Sequence, residues 1–579
     1  MIILGINAFH ADASACLLVD GHVVAAVAEE RLGRRLKHAS GFPSNAIRCV
    51  LAIGGVDISG VDAVAIGYDQ SANRFAKLSH IVRSPADGWR RIRGYLKKAK
   101  HGSSMREMIA DAVGAPVEKC RFAIHSVEHH LAHMASSFFS SSFEESAGFT
   151  YDGSGDFVSA IYAHCRGNQI IPLQRIYLPH SLGIFYTSVC QFIGFDGFGE
   201  EYKVMGLAAY GKPDFMPVMQ RALSYVGSGK YKMGAGMYAK TRAQDMFVYD
   251  EATGKITIPM MYSDAWSAEL GAPRNRNAPL TDRDRGLAAS CQEHFERVVL
   301  ECVRWLHSRV PSNNLVTAGG CALNGVCNAR ILREGPFKSS YIQCAAADDG
   351  TAIGAAQYVY HHVLGSPRVN RNDNPYLGPA HSQDAMDAAL AENKLSFQRL
   401  SDAELIQRCA ALLAEGKVIA WYQGGAEWGP RALGNRSILA NPGWPGMKDL
   451  INNKIKRRES FRPFAPSILA DRVKDIFEQD VESPFMMHVV KIRPEWRDRL
   501  SAVSHEDHTG RLQTVTRAMN QRYYDLISAF AEKTGIPVLL NTSFNENEPI
   551  VDTPEQAVAC HMRNDLDVLV LGNSLSVKC

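Results

Sequence analysis

The chain has 579 residues, of which 46% are hydrophobic and 21% are charged, and its formal net charge is +3. This composition is typical of a globular enzyme with roughly two to four domains and argues against bulk nucleic-acid binding. The thirteen cysteines are scattered without a Cys-x-x-Cys pair, which indicates reduced thiols in a cytoplasmic protein. The apolar N-terminus lacks a charged leader and predicts a strand instead of a signal peptide, and no stretch is long enough to span a membrane.

The first 28 residues predict three strands, over residues 1–7, 13–19 and 22–28, with a tight turn at Asp20-Gly21. The same strand-loop-strand-turn-strand pattern returns from Gly148 onward. The matched pairs are Leu4 and Phe149, Asn7 and Asp152, and Ser14 and Ser159. The repeat predicts two like subdomains facing one another, with the first loop of each in the cleft between them. Small residues in those loops would let backbone amides approach phosphate closely.

Residues 128–133, Glu-His-His-Leu-Ala-His, predict one and a half turns of helix. His129 and His133 are four residues apart and therefore project from one face, one turn apart. That spacing lets two imidazoles bind one metal ion, but it also occurs in ordinary surface or core histidine pairs. Carboxylates beside later glycine-rich turns, at Asp152 and at Asp348 or Asp349, favour the metal interpretation.

The middle of the chain predicts further elements around these residues. Residues 200–211 form a charged segment that ends at a glycine, either near the cleft or as a capped structural helix. Residues 212–280 are rich in Tyr, Met and Gly and predict an irregular insertion that shapes an acceptor site. Residues 283–309 predict a long amphipathic helix. The basic run at residues 90–98 is typical of a solvated face, although it could attract an anionic acceptor.

Two segments place glycines or carboxylates at the end of a predicted strand. Residues 316–324 predict a strand, a turn at Gly319-Gly320 and a helix start at Asn324, an arrangement that can hold a nucleotide, although a double glycine alone is weak evidence. Residues 345–356 place Asp348 and Asp349 at a strand end before a helix of small residues.

The last third of the chain predicts an anion-binding domain. Residues 366–382 contain three prolines and predict a linker, and residues 417–422 predict a buried strand. Residues 423–439 combine glycines with two arginines, a pattern that suits an anion-binding turn. The basic run at residues 455–466 is held between apolar residues and prolines, so it is not typical of a free solvated face. Residues 536–545 predict an apolar strand that delivers amides and hydroxyls at its end.

Together, the strand repeat, HHxAH, the Tyr-Asp-Gly turn, GGCALN and DDGTAIGAA resemble the carbamoyltransferases of the NodU/CmcH type from end to end. The resemblance implies an α/β fold with a duplicated N-terminal domain over residues 1–365, similar to the Kae1/TsaD proteins of the actin-like ATPase (ASKHA) superfamily. Residues 366–382 would be a linker. Residues 383–579 would form a C-terminal α/β domain similar to YrdC/Sua5.

The resemblance also implies the site residues. The implied metal ligands are His129, His133, Asp152 and Asp348, with the choice between Asp348 and Asp349 left open. Iron is favoured, and zinc or magnesium also suits these ligand types. His10 is implied as the general base, although a loop histidine that caps a strand is the alternative. Carbamoyl phosphate and Mg²⁺-ATP would be held by Arg431, Lys456, Arg462, Arg511, Asn541 and Ser543, with Gly319, Gly320 and Asn324 as a further nucleotide turn. Asn435 and Arg436 either join this set or brace their loop.

The implied activity is ATP-dependent O-carbamoyl transfer. Carbamoyl phosphate and ATP would form carbamoyl-adenylate in the C-terminal domain, with release of pyrophosphate, and this anhydride must be kept from water. The metal-containing N-terminal domain would then pass the carbamoyl group to a hydroxyl of a sugar, glycan or natural product. The alternatives are a tRNA threonylcarbamoyladenosine-type enzyme, another actin-like ATPase or sugar kinase, and a non-catalytic metal-binding scaffold. We expect no nucleic-acid partner and no membrane span, and the sequence leaves a homodimer open.

Overall fold

In a computed structural model, the chain forms two compact units of mixed helices and strands. The structure describes residues 1–33, 37–83, 104–239, 248–249, 256–369, 373–459, 461–462 and 464–578. Unit 1 consists of Met1–Glu30, His38–Leu323 and Arg330–Asp373, and unit 2 of Arg31–Lys37, Asn324–Ala329 and Asn374–Cys579. The change from unit 1 to unit 2 at residue 374 falls inside the predicted linker, and two short segments from earlier in the chain also belong to unit 2. The α/β fold class is confirmed.

The strands are numbered in chain order. Those of unit 1 are Ile2–Asn7 (β1), Ser14–Val19 (β2), His22–Ala28 (β3), Ala63–Ile66 (β4), Ala123–Ser126 (β5), Glu145–Gly155 (β6), Val158–Arg166 (β7), Gln169–Tyr177 (β8), Leu223–Gly227 (β9), Lys230–Met233 (β10), Val248–Tyr249 (β11), Ile256–Thr257 (β12), Asn314–Ala318 (β13) and Ser339–Ile342 (β14). Those of unit 2 are Gln398–Arg399 (β15), Ile419–Tyr422 (β16), Arg436–Ala440 (β17), Ala465–Leu469 (β18), His488–Lys491 (β19), Thr509–Val515 (β20), Val538–Ser543 (β21), Val568–Leu571 (β22) and Ser574–Val577 (β23).

Unit 1 contains two five-stranded sheets of identical topology. Their strand orders are β3-β2-β1-β4-β5 and β8-β7-β6-β13-β14. In each sheet, three antiparallel strands are continued by two strands parallel to the first. The turn between β2 and β3 places Asp20 and Gly21 at φ +48° and +85°, as a two-residue hairpin turn requires. The predicted internal repeat is therefore confirmed as a repeat of sheet topology.

The α-helices of the described residues fall into two groups by position in the chain. The first group is Glu29–Gly33, Ser44–Gly54, Arg74–Arg83, Met105–Val113, His129–Phe138, Leu182–Phe192, Glu201–Ala208, Met216–Ala222, Asp264–Leu270, Asp282–Arg309, Gly325–Glu334 and Thr351–Gln357. The second is Gln383–Glu392, Asp402–Ala414, Met447–Leu450, Val473–Ile476, Gln521–Thr534 and Pro554–Arg563. Among the described helices, none has both the length and the apolar character that crossing a lipid bilayer would require.

Two expectations for the middle of the chain have different outcomes. The long helix is confirmed as Asp282–Arg309, and Thr281 and Asp284 form a capping box at its start. The expectation that residues 212–280 are irregular is wrong for much of the described part, which contains two helices and the β9-β10 hairpin. The prediction was wrong because it used the Tyr, Met and Gly content of the segment, and Gly and Met also occur in short helices and strands that pack on a core. Residues 240–247 and 250–255, and the basic run at 90–98, lie outside the described residues.

The helix His129–Phe138 is buried along its whole length in unit 1. It packs so tightly against the helix Thr351–Gln357 that a Cβ on Gly354 would lie 1.8 Å from the carbonyl oxygen of Ala132. At its first turn, the His129 N–H donates to Asp156 Oδ2 at 2.8 Å, which satisfies an amide that the helix itself leaves unpaired. His129 and His133 therefore both lie on a buried and closely packed helix.

Arg368 holds the other end of this helix. Its Nη2 atom donates to the carbonyl oxygens of Phe138 and Ser141 at 2.8 and 2.7 Å, and its guanidinium lies 4.4 Å over the Phe138 ring. A cation bonded to the last carbonyls of a helix satisfies them and complements the helix dipole.

Unit 2 is built on a nine-stranded mixed sheet of order β15-β23-β22-β16-β17-β21-β18-β20-β19. Its core is lined by the strand predicted at 417–422, observed as β16, and by the strand predicted at 536–545, observed as β21. Strands β16 and β21 are neighbours of β17, so the segments that follow them in the sequence start from nearby parts of one sheet.

Replacing Arg368 with Leu should destabilise unit 1, because the carbonyl oxygen of the buried Ser141 loses this donor and the guanidinium no longer packs over the Phe138 ring. We expect a loss of about 2–4 kcal/mol, measured as a lower urea midpoint for loss of unit 1 structure. Arg297→Leu is the matched control, since that side chain is 56% exposed on the surface of a helix and should change stability by less than about 0.5 kcal/mol. Equal effects of the two substitutions would contradict the capping role.

Candidate functional site

Four side chains that the sequence singles out converge in unit 1. The Nε2 atoms of His129 and His133 lie 3.0 Å apart, and Asp348 Oδ1 lies 3.4 Å from each of them. Asp152 Oδ2 lies 3.2 Å from His133 Nε2 and 3.9 Å from His129 Nε2. Ligand atoms about 2.1 Å from one ion are about 3.0 to 3.4 Å apart at octahedral or tetrahedral angles. The spacing of these four side chains therefore fits one shared divalent ion.

Glycines make room for these side chains. A Cβ on Gly155 would lie 2.1 Å from the His129 ring, and a Cβ on Gly320 would lie 3.0 Å from Asp152 Oδ1. Gly319 has φ +97°, and a Cβ there would lie 2.3 Å from the Tyr151 carbonyl oxygen. Gly319 and Gly320, predicted as part of a nucleotide turn, thus lie against the strand that carries Asp152. Their role in nucleotide binding stays a prediction.

The chemistry of the donor set fits a metal. The histidines present Nε2 to one another and to the two carboxylates, while both Nδ1 atoms are buried and have no hydrogen-bond partner among the described residues. Two imidazoles and two carboxylates are a set that divalent transition metals accept, with positions left for other ligands. Within the described part of the chain, neither Nδ1 atom therefore makes the outer hydrogen bond that metal-bound histidines usually donate.

The electrostatics of the cluster favour ionised carboxylates. Burial alone would lower the pKa of His129, but the charges of Asp348 and Asp152 outweigh it and raise that pKa to about 10. Burial would raise the pKa of Asp348 and of Asp152, but their histidine neighbours hold both pKa values below the ordinary range. The two carboxylates, whose side chains are 17% and 14% exposed, thus remain negative and require positive charge beside them, which protons or a divalent ion can supply.

The structure brings Asp348, and not Asp349, to the histidines. Asp349 lies on the side of Asp12 and Glu30, and burial together with these two charges raises its pKa well above the ordinary value. His10 lies beside the cluster, with its Nδ1 atom 3.4 Å from Asp348 Oδ2 and its ring stacked on the His129 ring at 4.9 Å. This location is compatible with a proton-transfer role, which stays a prediction.

Unit 2 gathers the predicted cations into one region. Burial, and then the positive charges of Arg431, Arg458 and Arg462, lower the pKa of Arg511 well below its ordinary value. Burial, and then the charge of Arg458, likewise lower the pKa of Lys456. Guanidinium groups that repel one another in a partly dry site are stabilised by a polyanion, because each offers several donors to phosphate oxygens.

The remaining predicted binding residues are engaged inside the protein. Asn541 is buried, and its amide nitrogen donates to Ala432 O, Ser467 Oγ and Gln513 Oε1. Lys456 Nζ donates to the carbonyl oxygens of Ser543 and Asn545 at 2.5 and 2.7 Å. Asn324 belongs to unit 2, where its Oδ1 accepts from the Cys327 N–H at 3.1 Å. These bonds brace the site, and direct ligand contacts by Asn541, Ser543 and Asn324 stay predictions.

Asn435 and Arg436, for which the sequence left two roles open, stabilise the loop between β16 and β17 in unit 2. Arg436 is fully buried, its Nη1 donates to Gln423 O at 2.5 Å, and its guanidinium lies 3.6 Å over the Tyr422 ring. Asn435 Nδ2 donates to Gly425 O at 2.8 Å. Both side chains therefore hold the loop in place.

Several residues near the two sites escaped sequence reasoning. Arg458 stands in the same basic run as Lys456 and could have been included on that ground. Asp156, which anchors the first turn of the histidine helix, follows the Tyr-Asp-Gly turn but carried no spacing signal. Asp12 and His38, whose side chains meet at 2.8 Å, are 26 residues apart in the sequence. Only the folded loops bring them together.

The chain matches family models over most of its length. The model described as the carbamoyltransferase N-terminus matches residues 2–357, and the one described as the carbamoyltransferase C-terminus matches residues 410–578. All twelve cysteines in the described part of the chain are free thiols.

Two curated relatives match essentially the whole of this chain. It is 37% identical to the nodulation protein NolNO of Sinorhizobium fredii, over 99% of this chain and 80% of that protein. It is 36% identical to the Synechocystis protein sll1178, over 100% of this chain and 96% of that protein. The solved structure of HypF from T. kodakarensis is 13% identical with a TM-score of 0.29, over 63% of this chain and 48% of that chain. The matches to both family models show that this protein belongs to the carbamoyltransferase family and is an enzyme of carbamoyl transfer.

Proposed function

We propose that the protein is an ATP-dependent O-carbamoyltransferase that works through carbamoyl-adenylate and transfers the carbamoyl group to a sugar or related hydroxyl. The observation that carries the proposal is the convergence of His129, His133, Asp152 and Asp348, beside His10, in unit 1. A separate cationic site in unit 2 supports a reaction with two chemical stages. The carbamoyltransferase family supplies the group that is transferred.

The first stage belongs to the cationic region of unit 2. Carbamoyl phosphate loses phosphate to water, and the resulting carbamate oxygen attacks the α-phosphorus of ATP while pyrophosphate leaves. Negative charge builds up on the phosphate oxygens, and Arg431, Arg462 and Arg511 are suited to neutralise it. Lys456 fixes the end of β21 next to them through its bonds to Ser543 and Asn545. This stage yields a carbamoyl group with AMP as its leaving group.

The second stage belongs to the histidine-carboxylate cluster of unit 1. His129, His133, Asp152 and Asp348 would hold a divalent ion, iron, zinc or magnesium by ligand type, and such an ion supplies a Lewis acid for a carbonyl or phosphate oxygen. His10 accepts the proton of the acceptor hydroxyl, whose oxygen attacks the carbamoyl carbon. The bond between that carbon and the oxygen of AMP then breaks, and AMP leaves. The buried walls of the site keep the anhydride from water.

The proposal predicts a carbamoylated product from defined substrates. The protein should be incubated with ATP, Mg²⁺, carbamoyl phosphate and methyl glycosides of glucose, mannose, galactose and N-acetylglucosamine, with cyclohexanol as a single-hydroxyl comparison. We expect a mass gain of one carbamoyl group on a glycoside, and ATP–pyrophosphate exchange that requires carbamoyl phosphate. Carbamoylation of tRNA, or ATP hydrolysis with neither exchange nor product, would contradict the proposal.

Loss of one cluster ligand should separate the two stages. For Asp348→Asn we expect bound metal, measured by mass spectrometry of the purified protein, to fall along with carbamoyl transfer, the latter at least about 100-fold. Pyrophosphate exchange should stay within about twofold of wild type. His164→Asn is a suitable control, because His164 pairs with Glu145 on the surface and not with the cluster. Unchanged metal content in Asp348→Asn would refute the assignment of the ligands.

Substitutions of His10 and of Arg462 should impair different stages of the reaction. His10→Asn should retain pyrophosphate exchange and lose transfer by about 10² to 10⁴-fold, the usual contribution of a general base. Arg462→Ala should lose exchange by about 10² to 10³-fold, because it removes a donor to developing phosphate charge. Arg472→Ala removes an exposed arginine paired with Asp475 and should change neither rate. Intact transfer in His10→Asn, or intact exchange in Arg462→Ala, would remove that residue from its stage.

A further inference from the structure

The loop that follows β4, residues 67–73, packs against the elements that carry the cluster and has no role in the two stages above. The N–H of Gly67 donates to the carbonyl oxygen of Ile6 at 3.0 Å, near the end of β1. A Cβ on Gly67 would lie 2.7 Å from Thr351 Oγ1, and that hydroxyl donates to the Asp348 carbonyl oxygen at 2.7 Å. The start of the loop is therefore fixed beside the segment that carries Asp348.

The next part of the loop is bonded to the helix that carries His129. The N–H of Asp69 donates to Asp156 Oδ2 at 2.8 Å, and the N–H of His129 donates to the same oxygen at 2.8 Å. The Nδ2 atom of Asn73 donates to the Asp156 carbonyl oxygen at 3.1 Å and to Glu128 Oε1 at 2.9 Å. One carboxylate thus joins the loop to the first turn of the histidine helix.

Tyr68 lies between these two fixed points, next to the predicted general base. Because the N–H groups of Gly67 and Asp69 are both bonded, the backbone on either side of Tyr68 is held in place. The centre of the Tyr68 ring lies 6.4 Å from the centre of the His10 ring, with 34° between the two rings. His10 is itself stacked on the His129 ring at 4.9 Å. Measured ring contacts therefore connect the cluster, through His10, to Tyr68.

The Tyr68 hydroxyl is a hydrogen-bond donor in this environment. The residue is half-buried, and burial together with the negative charge of Asp156 raises the pKa of the phenol above its ordinary value. The phenol therefore stays protonated at neutral pH. The contacts that fix the loop use backbone groups and the aromatic ring, and none of them uses this hydroxyl. The nearby carboxylate of Asp156 disfavours a negatively charged phosphate as the partner and favours a neutral oxygen.

We propose that the Tyr68 hydroxyl donates a hydrogen bond to an acceptor oxygen adjacent to the hydroxyl that His10 deprotonates. This inference rests on the proposed function and extends it to recognition of the acceptor. Sugars and polyols carry such neighbouring oxygens, whose lone pairs accept from a phenol. Tyr68 is then a specificity-determining residue that selects these acceptors over single-hydroxyl alcohols. A site that bonds a substrate oxygen discriminates against the analogue that lacks it.

Tyr68→Phe tests the hydroxyl alone, because it keeps the aromatic ring beside His10. Carbamoyl transfer should be measured with the methyl glycoside that wild type carbamoylates fastest and with its monodeoxy analogues. We expect kcat/KM for the glycoside to fall about 3- to 10-fold, mainly through KM, since one neutral hydrogen bond to the substrate is lost. Wild type should prefer the glycoside by about the same factor over one monodeoxy analogue that still reacts, and Tyr68→Phe should use the two within about twofold of each other.

The controls separate this inference from a structural role of Tyr68 and from the proposed function. Tyr177→Phe removes the hydroxyl of a tyrosine in the same unit that is 37% exposed, and it should match wild type. Pyrophosphate exchange and bound metal should be unchanged in Tyr68→Phe. The inference is overturned if Tyr68→Phe keeps the wild-type kcat/KM, if it lowers kcat/KM without changing any preference among the analogues, or if it loses exchange or bound metal. If wild type itself shows neither exchange nor a carbamoylated product, the proposed function fails, and this inference fails with it.

Discussion

The constraint on which unit 1 depends is the contact of two buried imidazoles with two carboxylates that are themselves mostly shielded from solvent. Unpaired charges in a protein interior are costly, so Asp152 and Asp348 are tolerated there only because positive charge is held within about 4 Å of them. The helix that carries both imidazoles is bonded at its two ends, by Asp156 and by Arg368, which keeps the imidazoles in place. It also explains why glycine stands at 155 and 320, where any side chain would push a ligand out of place.

The duplicated topology distributes the chemistry between its two copies. Strand β6 in the second sheet corresponds to β1 in the first, since each is the central strand that joins the antiparallel and parallel parts. The loop after β1 carries His10 and Asp12, and the end of β6 carries Asp152. Corresponding regions of the repeated unit, at the end of its central strand and in the loop that follows, thus carry a candidate base in one copy and a candidate metal ligand in the other. A duplication provides two such loops, and sequence divergence assigns them different chemistry.

Sequence reasoning succeeded where the signal is local or repeated. The four-residue spacing of His129 and His133 is a property of any helix, and the strand repeat is visible as a pattern of turns and apolar runs. It could not choose between Asp348 and Asp349, because the direction of each side chain depends on the short 3₁₀ turn that contains them. It could not find the Asp12–His38 pair, whose members meet only through tertiary structure. It also could not predict that the amide nitrogen of Asn541 donates hydrogen bonds to Ser467 and Gln513 inside unit 2.

The two candidate sites differ in local charge, although the whole chain has a formal net charge of only +3. Around Arg511 the side chains are cationic and suit polyphosphate, whereas the cluster around Asp348 pairs two carboxylates with two imidazoles. A divalent ion held by His129, His133, Asp152 and Asp348 would place positive charge beside these carboxylates and would supply a Lewis acid for a phosphate or carbonyl oxygen.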